Sequence, residues 1–176
     1  MDELGFYYYI SGLDILAKYM LHIPEQYPVI AFIEKAAKEE IYNNLLAEGF
    51  EVIEPQYTKK MYEDAMCIRD RFSGSHNMQV ILYTTEDFQY SSEGLASIEK
   101  AFADLYFAIT RNGYPLSLQE LVRIYQNLSR LGNIDKKKLI TVASRRNIQY
   151  DIRFIVENRF ITDSAIEFGK ILRREE

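Results

Sequence analysis

The chain has no tryptophan, one cysteine, two histidines, four prolines and eight glycines in 176 residues, and each scarcity removes a class of chemistry. A single thiol, Cys67, cannot form an intramolecular disulfide, so a reducing cytosol is the expected compartment. Zinc needs three or four converging Cys, His or carboxylate ligands; Cys67, His22 and His76 do not supply them, and no metal or other cofactor is expected. The glycines are scattered singly at expected element ends, so no glycine-rich loop can bring backbone N–H groups to a phosphate. No stretch approaches the eighteen or so apolar residues of a membrane span, and the opening MDELGFYYYI is acidic where a secretory signal is basic. No membrane partner is expected.

What is present suits a folded α/β chain. Fourteen Tyr and ten Phe make the expected core aromatic-rich, and a chain of this length buries roughly 70% of its unfolded surface. The net charge of −5 conceals two halves. Residues 1 to 110 carry 18 acidic and 8 basic side chains, a net of −10, whereas residues 111 to 176 carry 8 acidic and 13 basic, a net of +5.

The stretch Ser91 to Arg111 is the most periodic. Leu95, Ile98, Phe102, Leu105, Tyr106 and Ile109 define one apolar face of a helix of about five turns. Ahead of it, a strand ends in YYYI, and Ser11 with Asp14 reads as an N-cap for a helix over Gly12–Leu21. Pro28–Ile33 is a continuous apolar run, the pattern of a strand buried on both faces. A helix over Glu34–Glu48, with Ala37, Ile41, Leu45 and Leu46 inward, closes at Gly49. Short strands follow at Phe50–Ile53 and Met78–Tyr83, giving four or five in all; TKKMYEDAMCIRDR has a helical pattern with Met61, Ala65 and Ile68 inward. Beyond Arg111, Ser117 and Glu120 form a capping box for a helix closed by Gly132, and three further helices are expected at Asp135–Arg145, Ile148–Glu157 and Thr162–Arg173. The expected architecture is α/β: a small mixed or parallel sheet with covering helices over 1–90, a connecting core helix over 91–111 and a helical subdomain over 112–176, in one compact unit.

Charged candidates are few. Lys100 and Asp104 are four apart and able to pair on one helix face, with Glu99 on a different side. Lys136, Lys137, Lys138, Arg145, Arg146, Arg153 and Arg159 cluster in the tail, as solvated and internally paired faces or as a surface for phosphate or carboxylate. Glu34, Glu99 and Asp104 serve a metal-dependent nuclease or nucleotide-handling enzyme only if they converge in a cleft. Cys67 with His76 is an alternative nucleophilic pair, although a lone Cys in a helical pattern is more often an apolar filler.

Ile98-Glu99-Lys100 followed by Ala103-Asp104-Leu105 resembles the Leu-Glu-Lys and Val-Asp-Leu signature in the C-terminal domain of the AbiEi-like abortive-infection antitoxins, of type IV toxin-antitoxin systems. The likeness runs back through Leu16, Tyr19, Met20, His22 and Pro24, then Val29–Phe32 with Glu34 and Lys35, then Ile41, Leu45, Gly49 and Val52. It runs forward through Leu139, Ala143, Arg145 and Arg146. The resemblance implies a noncatalytic bacterial antitoxin or regulator that opposes a nucleotidyltransferase-like toxin. Family members commonly carry a winged-helix DNA-binding domain ahead of this one and repress their own operon; here the first strand begins within a few residues of the start, so that module is not expected. The resemblance assigns no catalytic residue. It leaves Ile98, Glu99, Lys100, Asp104 and Leu105 as a structural signature and Lys136, Lys137, Lys138, Arg145, Arg146 and Arg153 as a surface for an acidic partner or, through the basic tail, nucleic acid.

Overall fold

A computed structural model of the chain describes residues 5–24, 26–63 and 78–158. Six strands form one mixed sheet in the order β3-β4-β2-β1-β6-β5. The apolar run of the sequence analysis is β2 (Val29–Glu34), and it lies in the interior of the sheet, parallel to β4 (Gln79–Thr85) on one side and antiparallel to β1 (Tyr8–Ser11) on the other. The short strand β3 (Glu51–Ile53) pairs parallel with β4 at one edge. Its connection from β2 is α2 (Lys38–Ala47), preceded by a 3-10 turn at Lys35–Ala37, and Gly49 closes that helix in the expected left-handed conformation, φ +86°.

Alternation sorts the strand residues onto two faces. Ala31, Ile33, Val80 and Leu82 face α2, where Ala37, Ile41 and Leu45 meet them. Leu46 was expected inward with them but is 45% exposed. The opposite face carries Tyr9, Ile30, Phe32, Ile81 and Tyr83 into a larger core with residues from every described helix after β4. That core joins the α/β half to the helical half.

The expected helix over Ser91–Arg111 is shorter and differently begun. Its first residues form a ribbon, β5 (Ser91–Ser92) antiparallel to β6 (Leu95–Ala96), and β6 runs parallel to β1. Glu93 and Gly94 take positive φ at the turn, which suits a two-residue hairpin. Leu95, assigned to the apolar stripe, is therefore a strand residue and half exposed. Helix α4 is Ile98–Phe107, capped by Ser97, whose side chain accepts from the Lys100 N–H, and it passes into a π-helical turn at Ala108–Asn112. Every residue from Glu99 to Tyr106 is buried, so α4 is a central helix rather than one with a single apolar stripe. The ribbon brings the strand count to six among the described residues, above the four or five expected.

The start of the chain also departs from its expected cap. Gly12, not Ser11, precedes α1 (Leu13–Leu16), with φ 72° and ψ −132°, and a Cβ there would lie 2.8 Å from Ile30 Cδ1. Only glycine takes that backbone easily. The helix is one turn, extended by a 3-10 turn at Ala17–Tyr19, where Gly12–Leu21 was expected. Ser11 stays in β1 with its side chain buried.

Helix α3 (Pro55–Glu63) covers the end of the sheet beside β4, and α5 (Leu118–Arg130) begins at Ser117, whose hydroxyl accepts from the Glu120 N–H as the capping box predicted. Helices α6 (Lys136–Arg145) and α7 (Gln149–Glu157) follow the predicted boundaries within a residue. Cys67, His76, Ala65, Ile68, Arg159 and the expected helix over Thr162–Arg173 lie outside the described residues.

Candidate functional site

The charged signature on α4 is the natural place to look, because charge rarely goes into a core without a partner. Tyr9 on β1, Phe32 on β2 and Tyr83 on β4 are cross-strand neighbours, and their rings stack at 4.8 Å between successive centroids. Ser11 shares the face of Tyr9, two residues on. Over this aromatic ladder α4 places Lys100 and Asp104, one turn apart, and the C-terminal end of α6 delivers Arg146.

Asp104 is 1% exposed. Its Oδ2 accepts from the Ser11 hydroxyl at 2.8 Å, and its Oδ1 lies 2.5 Å from Arg146 Nη2, an ion contact that falls off the hydrogen-bonding direction. The same Nη2 donates to the Tyr9 hydroxyl at 3.1 Å, and the guanidinium sits 4.7 Å above the Phe32 ring centroid and 5.5 Å from that of Phe107. The i, i+4 spacing predicted Lys100 as the partner of Asp104. Arg146 holds that carboxylate instead, while Lys100 Nζ stands 4.7 Å over the Tyr9 ring and donates to the Asp87 carbonyl at 3.3 Å.

Two further pairs surround this one. Asp87, in the loop after β4, accepts from Arg145 Nε through Oδ2 at 2.6 Å and from the Gln89 N–H through Oδ1 at 3.1 Å. Glu99 accepts from Lys138 Nζ at 2.8 Å and from the Asp135 N–H at 3.1 Å. Asp135 in turn caps α6, its Oδ1 accepting from the N–H groups of Lys137 and Lys138. Helix α6 is thus joined by three ion pairs to the sheet-side half, through Glu99, Asp87 and Asp104.

The titration tendencies follow from this packing. Burial pushes the Asp104 carboxyl up, while Arg146, Lys100 and the Ser11 hydroxyl pull it down. Burial pulls Lys100 below the usual lysine range, partly offset by Asp104 and Asp87. For Arg146 burial acts downward, but Asp104 and Tyr9 outweigh it and hold the guanidinium charged. Burial, reinforced by Asp104, drives the Tyr9 phenol far upward, so it stays protonated. Arg145 draws Asp87 down against its burial; at Glu99 burial acts upward and is overcome by Lys138 and the Asp135 N–H.

Of the sequence candidates, Glu99, Lys100 and Asp104 come together with Lys138, Arg145 and Arg146, while Ile98 and Leu105 pack apolar surface. Lys136, Lys137 and Arg153 are exposed. Glu34 sits apart: Ser11 is level with Ile30, and Glu34 lies four residues further along β2, roughly 13 Å away along the strand. It accepts from the Tyr7 N–H. Among the described residues no three His, Cys, Asp or Glu side chains gather in a group able to hold a metal ion, and no helix is long and apolar enough to cross a membrane. Sequence reasoning missed Tyr9, Ser11 and Asp87. Ser11 and Tyr9 were traceable through the two-residue period of β1; the ion pairing of Asp87 carried no local signal, since the cations that meet it, Lys100 and Arg145, lie 13 and 58 residues away.

Fold and site together define a mixed α/β domain whose helical cover is keyed to an aromatic sheet face by buried and half-buried ion pairs. No family model matches the chain, and neither a curated protein nor a solved structure matches it.

Proposed function

We propose that this chain is a noncatalytic, antitoxin-like regulatory domain of a type IV toxin-antitoxin system, which works by recognising a partner rather than by turning over a substrate. The observation that supports this reading is the occupation of the signature residues. Glu99 and Asp104 are each held by a cation of α6, and Lys100 is buried against Tyr9, so the ionisable groups of α4 are spent inside the fold. The nuclease reading needs Glu34, Glu99 and Asp104 to converge, and they hold separate partners. Exposed charge remains at Lys136, Lys137 and Arg153, on α6 and α7.

On this reading the partner is a nucleotidyltransferase-like toxin with an acidic docking surface. The test is co-expression with such a toxin encoded beside this chain's gene, using Lys136→Glu, Lys137→Glu and Arg153→Glu combined. Protection from growth arrest is expected to be lost while thermal unfolding of the variant stays within a few degrees of wild type. Full protection at wild-type protein level would overturn the reading.

A further inference from the structure

The two outer ion pairs of α6 differ from the inner one in a way that bears on recognition. Arg146 is sealed against Asp104, whose side chain is 0% exposed. Arg145 and Asp87, by contrast, are 39% and 32% exposed, and Lys138 is 35% exposed over Glu99. The outer cations therefore reach solvent on the same helix that carries the exposed Lys136 and Lys137. An exposed pair exchanges partners readily because water and salt screen it and its net worth is small.

From this we infer that Asp87 is an internal stand-in for a carboxylate of the partner: it masks Arg145 in the free chain and yields it to an acidic protein segment on docking. The inference rests on the recognition reading above and adds its regulation. Two features favour a protein carboxylate over nucleic acid. The resident partners of all three paired α6 cations are carboxylates, so the geometry around Arg145 is already that of a guanidinium–carboxylate pair. The chain is acidic overall, at −5, and its first 110 residues at −10 repel a long polyanion passing across them. A short acidic segment laid along α6 avoids that half. The Asp87 side chain is also replaceable without moving the loop, because Oδ1, which accepts from the Gln89 N–H, is kept by asparagine.

The experiment is a double-mutant cycle on the full chain, with a short poly-L-glutamate peptide of about ten residues as probe at low salt. Asp87→Asn is expected to tighten binding about two- to fivefold, the range set by the modest worth of an exposed ion pair. Arg145→Gln is expected to weaken it, and in the Arg145→Gln background the gain from Asp87→Asn should vanish. A gain that persists without Arg145 reports only the change in net charge and overturns the inference. So does unchanged or absent binding by an Asp87→Asn protein that melts like wild type, and so does a cycle obtained with a twenty-residue oligothymidylate but not with poly-L-glutamate. If the cycle holds with poly-L-glutamate while toxin protection is absent, masking of Arg145 stands and the antitoxin reading alone falls.

Discussion

Asp104 and Arg146 are more consequential for stability than their number suggests. A buried ion pair adds little beyond what an apolar pair of the same volume would, but breaking it leaves one charge desolvated and uncompensated. Asp104→Asn preserves the shape and an acceptor for the Ser11 hydroxyl but removes the counter-charge of Arg146; because burial already favours the neutral carboxyl, its loss in urea unfolding is expected to be the smaller of the two single variants. Arg146→Met leaves the Asp104 carboxylate buried without its cation and should cost about 3–5 kcal/mol. The double variant should lose less than the sum of the two by at least about 1 kcal/mol, because neither charge then remains buried alone. Strict additivity would show that the two side chains do not act as a pair. Part of this was legible beforehand. Charged residues at 99, 100 and 104 in an apolar helix announce that partners are needed, and Arg145 and Arg146 were singled out. The pairing was not legible, since the i, i+4 rule favours Lys100 and contact between residues 42 positions apart depends on the packing of α6 over α4.

At the scale of elements, α6 is docked by apolar side chains, Leu139, Val142 and Ala143, and fastened by pairs whose carboxylates titrate. Asp87 and Glu99 both lie below their ordinary values of 3.8 and 4.5. The unfolded chain thus takes up their protons first as pH falls. Their contribution is complete above the unfolded values and disappears as pH drops through the lower folded ones. Asp104, raised by burial, acts in the opposite sense. The urea midpoint is expected to fall between pH 5 and pH 3, and Asp87→Asn should show a shallower fall, having no Asp87 carboxylate to lose. An identical pH profile for wild type and variant would mean that the Arg145–Asp87 pair adds nothing to folding. Elements with one dominant pattern were readable from sequence: β2 from its unbroken apolar run, α5 from Ser117 and Glu120. The β5–β6 ribbon was not, because strands of two residues carry no usable period and Leu95 happens to continue the stripe of α4. Gly12 was read as helical, although its φ of 72° is what frees Ser11 from capping and turns it toward Asp104.

For the whole molecule, the basic half of the sequence divides into two populations that composition cannot separate. Lys138, Arg145 and Arg146 close the helical cover onto the acidic half, which explains why opposite net charges in the two halves of the chain accompany one continuous core. Lys136, Lys137 and Arg153 face water. Neutralising each population with glutamine separates folding from recognition. The combined Lys136→Gln, Lys137→Gln, Arg153→Gln variant should keep its unfolding free energy within about 0.5 kcal/mol per site, as exposed positions do. The combined Lys138→Gln, Arg145→Gln, Arg146→Gln variant should lose several kcal/mol, dominated by the roughly 3–5 kcal/mol of leaving Asp104 buried without Arg146. Circular dichroism during urea unfolding reads both. A tail that merely coats the surface would give two variants of equal stability; a tail whose paired cations fasten the cover gives one stable and one unstable, and Arg145, which serves the fold and the partner both, is read from its single Gln substitution rather than from the combined one.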